Sequence, residues 1–387
     1  MDNEDKDIDT AWLRESSDAE EAAALTAHLV SFRSYPGEEG AVQRAVAAWL
    51  TAQGMEPELI EIQDDRPNVL VRIENGPGPT FFLNGHTDTV LAVEGWSGDP
   101  WQGWRDGDRL YGLGACDMKS GVAAILLATR ALHRRRDLWR GTVICATVPD
   151  EEAYSIGAQA LVKMGLQADA CVVTEATNLV VMLGSIGKVL VRGDVTGKAA
   201  HGSEPEKGIN AAVEGARFLA QVDGLPLGQH PRLESVQSVL SFQSGNAQYV
   251  ITVPERARFL VNRHITPEET GETVLAQMRA LADSLHSPAR FDFTIDPPYY
   301  PPFEIAPDHP YVRQVVAAFV DETGADPGFA YMRGLADANY FATDLGIPSV
   351  VFGPRGANYH MADEWVDVAS ISETTRLLVR LALKVLQ

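Results

Sequence analysis

The segment FFLNGHTDTV, residues 81–90, indicates both how this chain folds and where its chemistry lies. Two apolar residues lead into a glycine, and His86 and Asp88 follow where a short buried strand would end. Side chains two positions apart on extended backbone point the same way, so the Asp88 carboxylate can accept from the His86 ring and fix its tautomer. A strand-end histidine alone is more typical of a hydrogen-bonded surface residue. The role of His86 therefore depends on what neighbouring strands place beside it.

Strand-like and helix-like patterns alternate on both sides of this segment. The predicted helices are 17–32, 41–54 and 121–135, and the predicted strands are 68–73, 80–85, 142–148 and 168–175. Gly54 closes the second helix, as glycine often does. Strands that alternate with helices predict βα units around a largely buried parallel sheet, an α/β fold.

The pattern changes near Lys188 to alternating strands with two helices, which is typical of a small α+β domain with an antiparallel sheet. Its predicted strands are 188–197, 247–254, 256–265 and 290–295, and its predicted helices are 208–222 and 266–285. The proline-rich segment 296–304 is interpreted as a linker back to α/β elements, which are a helix at 311–324, a strand at 347–353 and a closing helix from about Ser370. The sequence therefore predicts a discontinuous domain, 1–187 and 297–387, with an inserted domain, 188–296.

Composition limits the classes of partner. The net charge is −21, and such a field repels phosphate backbones and anionic lipid, so we expect neither nucleic acid nor a membrane surface as a partner. Three cysteines without paired spacing favour a reducing compartment. The acidic start is unlike a secretory signal, and no apolar run is long enough for a membrane span. We expect a cytoplasmic protein.

Imidazole and carboxylate side chains follow several predicted strands or begin a helix. They are His86, Asp117, Glu151, Glu152, Glu175 and His360. Each has an ordinary alternative: a helix cap for Asp117, a solvated loop for the glutamate pair. Taken together, the six residues favour a metal site over those alternatives. Binding sites form at the carboxyl ends of parallel strands, and zinc accepts this mixture of imidazole and carboxylate ligands. Two metals need about five or six such ligands with one bridging carboxylate, and the set supplies that number.

Six segments resemble, in order, a family of dinuclear-zinc amidohydrolases. That family includes aminoacylase, acetylornithine deacetylase, succinyl-diaminopimelate desuccinylase and the glutamate-releasing carboxypeptidases. The segments are GHTDTV, DGDRLYGLGACDMKSG, VPDEEAYSIGAQ, TEATN, GKAAHGSEPEKGINA and YHMADEWV. The resemblance runs from residue 86 to about 366. It implies a mixed, largely parallel sheet flanked by helices, of zinc-exopeptidase type, with an inserted lid and dimerisation domain.

The resemblance also implies a role for each matching residue. The metal ligands would be His86 and Glu175 on one Zn²⁺, Glu152 and His360 on the other, and Asp117 between them. Co²⁺ and Mn²⁺ are alternative metals. Asp88 would orient its histidine, and Glu151 would be the general base that activates a zinc-bridged water as hydroxide and protonates the leaving amine. His201 would help to stabilise the oxyanion, often at a neighbouring subunit's site, so a homodimer is expected.

The substrate is less well defined by the sequence. Arg263 and Arg333 fall where the family places substrate-region residues, and either could instead form a structural ion pair. The chain departs from the family at Ile251 and Thr252, where many relatives have Asn before Val-Pro, and at 261–264, where relatives often have Asp-x-Arg. In the family that the chain resembles, a glutamate at the position of Glu175 is typical of deacylases and glutamate carboxypeptidases, and an aspartate there is typical of aminopeptidases and some dipeptidases. We therefore predict a metal-dependent hydrolase of a small N-acyl amino acid; the alternatives are a dipeptidase or carboxypeptidase acting on short peptides, and a non-catalytic binding protein.

Overall fold

The computed structural model describes residues 10–245 and 251–387, which form helices and strands over most of their length. The helices are α1 Thr10–Glu15, α2 Ala19–Val30, α3 Gly40–Ala52, α4 Ser120–Arg134, α5 Ile156–Lys163, α6 Ala211–Val222, α7 Gly271–Ser284, α8 Pro310–Thr323, α9 Ala338–Thr343 and α10 Val368–Val385. The strands are β1 Glu58–Glu61, β2 Pro67–Asn75, β3 Thr80–His86, β4 Trp104–Asp106, β5 Arg109–Tyr111, β6 Gly141–Val148, β7 Ala170–Val173, β8 Val181–Ser185, β9 Gly187–Thr196, β10 Val236–Ser244, β11 Arg256–Ile265, β12 Arg290–Tyr300, β13 Phe303–Glu304, β14 Phe329–Met332, β15 Ser349–Val351, β16 Gly356–Ala357 and β17 Trp365–Asp367.

The largest sheet has the strand order β1-β2-β6-β3-β7-β15-β8-β13, with β14 beside β8. Its centre is parallel, since β3 pairs in parallel with β6 and β7, and β7 with β15. Strands β1 and β2 add to one side in antiparallel orientation. The predicted mixed, largely parallel sheet is confirmed. Because β3 and β6 run parallel, His86 ends its strand opposite Val148, and both carboxyl ends lie at one edge of the sheet.

Helices follow the predicted pattern closely in this part of the chain. Helix α4 packs against α2 and α10, and both α4 and α10 contact β3. Helix α2 begins after Asp18, whose carboxylate accepts the N–H of Glu21 at 2.9 Å. Asp367 caps α10 in the same way, at 2.7 Å from the N–H of Ser370. Such caps satisfy backbone donors that a helix leaves unpaired at its start.

A separate small sheet, in the order β16-β17-β5-β4, brings two distant loops together. In this sheet Trp365 pairs with Tyr111, and Asp367 pairs with Arg109. The loop that ends at β17 therefore lies beside the loop that follows β5. These two loops carry Asp117, His360 and Glu364, which are described below.

The chain divides into two units. The larger extends through Gly184 and includes Glu304–Ala330 and Ala336–Gln387, and the smaller comprises Ser185–Phe303 and Tyr331–Leu335. The smaller unit has an antiparallel sheet in the order β10-β11-β9-β12. Its core lies between this sheet and helices α6 and α7, with Phe218 stacked on Phe259 at 5.1 Å between ring centroids.

The smaller unit differs from the prediction in three places. The strand predicted at 247–254 lies partly outside the described residues, and 251–254 are not a strand; Thr252 makes an isolated β-bridge to His201. Strand β10 was not predicted. Strand β12 continues through the cis Pro297–Pro298 bond to Tyr300, so most of the segment interpreted as a linker is strand. Throughout the described ranges, no helix combines the length and apolar character needed to cross a membrane.

Candidate metal centre

His86 lies at the carboxyl end of β3 with its two ring nitrogens in different surroundings. Nδ1 is 3.1 Å from the carbonyl oxygen of Asp88 and 3.6 Å from its carboxylate. Nε2 faces carboxylate oxygens of Asp117 at 3.4 Å, Glu175 at 3.7 Å and Glu151 at 3.9 Å. The ring is 1% exposed. Asp88 thus contacts one side of the ring, and the other side faces a group of acids.

Asp117 is held by its backbone in a tight loop before α4. Gly114 has φ +77°, and a Cβ there would lie 2.5 Å from Thr89, so glycine is required. The buried carboxylate of Glu364 accepts the N–H groups of Gly114 at 2.9 Å, Cys116 at 2.8 Å and Asp117 at 2.9 Å. Glu364 was not predicted from the sequence, although it follows His360 by four residues in the segment YHMADEWV.

The two oxygens of Asp117 face different histidines. Oδ1 is 3.4 Å from Nε2 of His86, and Oδ2 is 3.2 Å from Nε2 of His360, which is also 3.0 Å from Glu152. Two groups of potential metal ligands result, one of His86, Asp117 and Glu175 and the other of Asp117, Glu152 and His360. One carboxylate therefore belongs to both groups, as a bridging ligand requires.

Asp88 also fixes the loop after β6. Its Oδ1 accepts the N–H of Glu151 at 3.1 Å, and its Oδ2 accepts the N–H of Glu152 at 2.9 Å. The side chain is fully buried. Asp88 therefore contacts the ring of His86 through its carbonyl oxygen and fixes the backbone of both glutamates through its carboxylate.

Burial and the neighbouring charges shift the pKa values of the acids in this centre. Burial raises the pKa of Glu151 and Glu175 well above the usual value, although the charge of His86 opposes the shift. Burial would also raise the pKa of Asp117, but a hydrogen bond with His360 and the nearby charge of His86 hold it below the usual value. Hydrogen bonds with Asp117 and Glu152 raise the pKa of His360 to about 10. Burial thus favours the protonated form of Glu151 and Glu175, and the neighbouring carboxylates favour the protonated form of His360.

The residues fit a divalent cation. Nε2 of His86 is a buried ring nitrogen with no hydrogen-bond partner among the described residues. Two ligands, each about 2.1 Å from a tetrahedral zinc ion, stand about 3.4 Å apart. The separations of that nitrogen from Asp117 and Glu175, 3.4 and 3.7 Å, are of this size and too long for good hydrogen bonds. Imidazole with carboxylate is also a ligand set that zinc accepts.

Comparison with known proteins agrees with this geometry. The model of peptidase family M20/M25/M40 matches residues 82–384, which is most of the chain. This chain belongs to the M20/M25/M40 peptidase family. The succinyl-diaminopimelate desuccinylase of Paracoccus denitrificans is 28% identical, over 93% of this chain and 97% of its own. The same enzyme of Methylobacterium radiotolerans is 30% identical, over 82% and 83%.

Solved M20 structures have the same fold. An aminopeptidase PepT from Bacillus cereus aligns with a TM-score of 0.78 and 21% identity, covering 96% of this chain and all of that one. A dinuclear metal binding peptidase of the M20 family from Bacillus subtilis aligns with a TM-score of 0.74 and 18% identity, covering 98% and 99%. The M20 membership makes the chain a metallopeptidase or amidohydrolase, as the sequence predicted.

The remaining predicted residues of this M20 chain lie in the smaller unit. His201 is exposed, and its Nδ1 is 2.7 Å from Oγ of Ser203 and accepts the N–H of that residue at 3.2 Å. Since Nδ1 is an acceptor, a neutral ring carries its hydrogen on Nε2. His201 can therefore donate a hydrogen bond through Nε2.

The two arginines singled out in the sequence have opposite surroundings. Arg263 is fully buried and binds Glu269, Gln277 and the carbonyl oxygen of Pro226. The burial favours a structural ion pair for it and leaves no face for a substrate carboxylate. The side chain of Arg333 is 83% exposed, with Glu234 at 3.4 Å, so it is accessible to a ligand.

Asp337 is a second residue of the centre that the sequence analysis missed. It is 1% exposed, and burial raises its pKa to about 7, against the lowering effect of His86. Its charge also acts on Glu151, where burial is the larger cause of the raised pKa. The segment MRGLADA contains it, but there the arginine was singled out instead.

Proposed function

We propose that this chain hydrolyses the amide bond of a small N-acyl amino acid, and that N-succinyl compounds are the first to test. The observation that carries the proposal is the position of Asp117 between two histidines, which makes two ligand groups with a shared carboxylate. The named relatives of similar length are succinyl-diaminopimelate desuccinylases, and they favour an N-acyl substrate over a peptide.

In this proposal two Zn²⁺ ions occupy the centre, with Co²⁺ or Mn²⁺ as alternatives. His86 and Glu175 would hold one ion, Glu152 and His360 would hold the other, and Asp117 would be shared between them. When bound, the ions lower the pKa of water and polarise the amide carbonyl. Asp88 contacts the His86 ring on its Nδ1 side, which would leave Nε2 available to bind an ion.

Glu151 is the general base in this proposal. It belongs to neither ligand group, yet its Oε2 lies 3.9 Å from Nε2 of His86 and its backbone is fixed by Asp88. Burial raises its pKa, which brings the carboxylate toward the range where it can both accept and release a proton. Glu151 accepts the proton of the attacking water and then delivers it to the leaving nitrogen. The water oxygen bonds to the carbonyl carbon and gives a tetrahedral oxyanion. The C–N bond breaks when this oxyanion collapses and the nitrogen takes the proton from Glu151.

The smaller unit is proposed to act as lid and dimerisation domain. Strand β10 is an end strand of its sheet and exposes Val239, Leu240 and Phe242. An apolar edge strand of this kind can pair with another chain, so a homodimer through β10 is a reasonable arrangement. His201 is proposed to donate to the oxyanion, as in the family. A cytoplasmic location stays a prediction from the sequence.

The test combines metal content with turnover. The purified protein is analysed for metal before and after chelation, and is assayed on N-acetyl, N-succinyl and N-formyl amino acids beside several dipeptides. About two metal ions per chain and chelator-sensitive release of an amino acid from an N-acyl substrate are expected. Faster turnover of dipeptides than of N-acyl amino acids would favour the dipeptidase or carboxypeptidase alternative. No turnover with zinc, cobalt or manganese would contradict both.

A further inference from the structure

The sheet of the smaller unit has a polar face on the side away from its helices. Along β9 and β11 the odd-numbered residues are buried in the core, and the even-numbered residues lie on the other face, most of them partly buried. On this face His264 of β11 stands directly opposite Lys188 of β9. Side chains opposite each other in an antiparallel pair have Cβ atoms about 5 Å apart, so the two basic groups are neighbours.

Lys188 and His264 face each other in the sheet, and neither has a counter-ion among the described residues. Each of four arginines reaches a carboxylate, and the pairs are Arg192 with Asp194 and Asp296, Arg258 with Asp194, Arg263 with Glu269, and Arg290 with Asp292. Within residues 10–245 and 251–387, neither the Lys188 ammonium nor the His264 ring has a carboxylate within 4.0 Å. In a chain of net charge −21, two adjacent basic groups without an acid indicate a place for an anion.

The position of these two basic groups disfavours their protonated forms when no anion lies beside them. Burial lowers the pKa of Lys188, and burial together with the charge of Lys188 lowers the pKa of His264. A protonated His264 ring would stand directly opposite the like charge of Lys188, which is destabilising in a sheet. A carboxylate between the two groups would offset that repulsion and could accept a charge-assisted hydrogen bond from each of them.

Asn262 provides a neutral polar group at the same place. It precedes His264 by two residues on the same face, and its Oδ1 is enclosed without a hydrogen-bond partner among the described residues. A half-turn of the Asn262 amide exchanges its oxygen and nitrogen, so the rotated side chain presents an N–H donor at this place. An anion beside Lys188 and His264 could therefore also receive a hydrogen bond from Asn262.

We propose that Lys188 and His264, with Asn262 beside them, form a binding site for a carboxylate of a small molecule. The carboxylate belongs either to the substrate of the proposed hydrolysis, in which case this inference rests on that function, or to a free carboxylic acid that acts as an effector. Both sources require the same chemistry, an anionic oxygen pair that fits between an ammonium and an imidazole N–H. Nothing else in the proposed reaction requires these two residues.

The first experiment measures KM and kcat of the metal-loaded enzyme for N-succinyl and N-acetyl forms of one amino acid. The variants are Lys188→Gln and His264→Gln, with Lys188→Arg to restore the charge. Arg258→Gln is the matched control, because it removes a cation of the same face that has its own acid. We expect Lys188→Gln to raise KM about tenfold with little change in kcat, as expected for loss of a hydrogen bond to a charged group, and Lys188→Arg to recover most of it.

The two substrates separate the sources of the carboxylate. A rise in KM for the N-succinyl compound alone identifies the acyl carboxylate, and an equal rise for both identifies the carboxylate of the amino acid. If neither KM changes, but free succinate alters the rate of the wild type and no longer alters that of the variants, the site belongs to an effector. Each of these three results supports the site.

A second measurement does not depend on turnover. The ring C–H resonances of His264, assigned by their loss in His264→Gln, are followed by NMR while succinate is added to the metal-loaded protein. We expect a saturable shift in the wild type and in Arg258→Gln but none in Lys188→Gln. If the resonances do not move and no variant changes KM, the proposed site is wrong. A saturable shift in a protein that cleaves no amide would refute the proposed function and leave the site intact.

Discussion

The carboxylate of Glu364 accepts the backbone N–H of Asp117 at 2.9 Å, across 247 positions of sequence. The same carboxylate binds the N–H groups of Gly114 and Cys116, so it holds the whole turn from which Asp117 projects. Four residues earlier, the same loop supplies His360, whose Nε2 faces the other oxygen of Asp117. One loop thus contributes a ligand and also fixes the residue proposed to bridge both ions.

This relationship predicts that Glu364→Gln weakens metal binding without removing a ligand. A glutamine has one acceptor oxygen, and its NH₂ group would face a backbone N–H, so the turn must shift. We expect metal affinity to fall roughly 10- to 100-fold, the usual effect of losing a residue that orients a ligand. Competition with a chromophoric chelator measures the affinity, and the visible spectrum of the Co²⁺ form reports the ligand geometry. The exposed Glu272→Gln is the control, and equal affinities in the two variants would contradict the prediction.

Glu151 and Glu152 are adjacent in sequence but are assigned different tasks. Glu151→Gln removes the proposed base and no ligand, so we expect two metals per chain, an unchanged fold and a fall in kcat of about 10²- to 10⁴-fold. Glu152→Gln removes a ligand, so at least one metal should be lost. Metal analysis and steady-state kinetics of the two variants form a matched pair. Normal turnover by Glu151→Gln would exclude the proposed mechanism.

The elements of the larger unit could be predicted well because their sequence patterns have local causes. Helix α2 begins at its Asp18 cap, and β3 and β6 are short apolar runs buried on both sides. The polar residues at the ends of such strands meet because parallel strands share an edge. That rule placed His86 among the site residues without any knowledge of its partners.

The predictions from the sequence are wrong or incomplete where contacts between distant parts of the chain determine the structure. Strand β10 exposes most of its residues, so it lacks the apolar alternation that predicts a half-buried strand. The prolines at 297–298 suggested a break, but β12 continues as an outer strand, where a missing N–H is tolerated. Glu364 was missed because its partners are backbone N–H groups about 250 residues away, which no local pattern contains.

Metal binding should depend on pH through His360. In the metal-free protein, hydrogen bonds with Asp117 and Glu152 raise its pKa to about 10, so the ring is protonated at pH 7 and must lose that proton to bind a metal. A raised pKa means that the competing proton is retained until the pH passes about 10. Apparent metal affinity should therefore rise from pH 6 to 9, by up to about tenfold per pH unit for each displaced proton.

Isothermal titration calorimetry in buffers of different ionisation enthalpy counts the protons released when the metal binds. We expect release of at least one proton per chain at pH 7. Affinity independent of pH over this range, with no proton release, would contradict the protonation state assigned to His360.

Arg263 and Arg333 should respond differently to substitution. Arg263→Met leaves Glu269 charged and buried without its partner, so we expect a loss of about 3–5 kcal/mol in the free energy of unfolding. Arg333→Gln changes an exposed side chain and should alter stability by less than about 0.5 kcal/mol. Urea unfolding gives the stabilities, and KM for the N-acyl substrate tests binding. A stable Arg263→Met variant with a raised KM would restore Arg263 as a substrate residue.

The edge strand β10 predicts how two copies of the chain associate. Leu240 is 56% exposed and lies at a bulge, where it has no paired residue on β11, so Leu240→Asp disturbs no pair within the sheet. If a second copy adds its own β10 to this edge, a buried aspartate would separate the two strands, because a desolvated unpaired charge is costly. Leu91→Asp is the matched control, since Leu91 is 69% exposed and belongs to the larger unit.

Light scattering after size-exclusion chromatography should give twice the chain mass for the wild type and for Leu91→Asp, and a single chain mass for Leu240→Asp. A dimer that persists in Leu240→Asp would place the interface elsewhere, and a monomeric wild type would remove the dimer from the proposal.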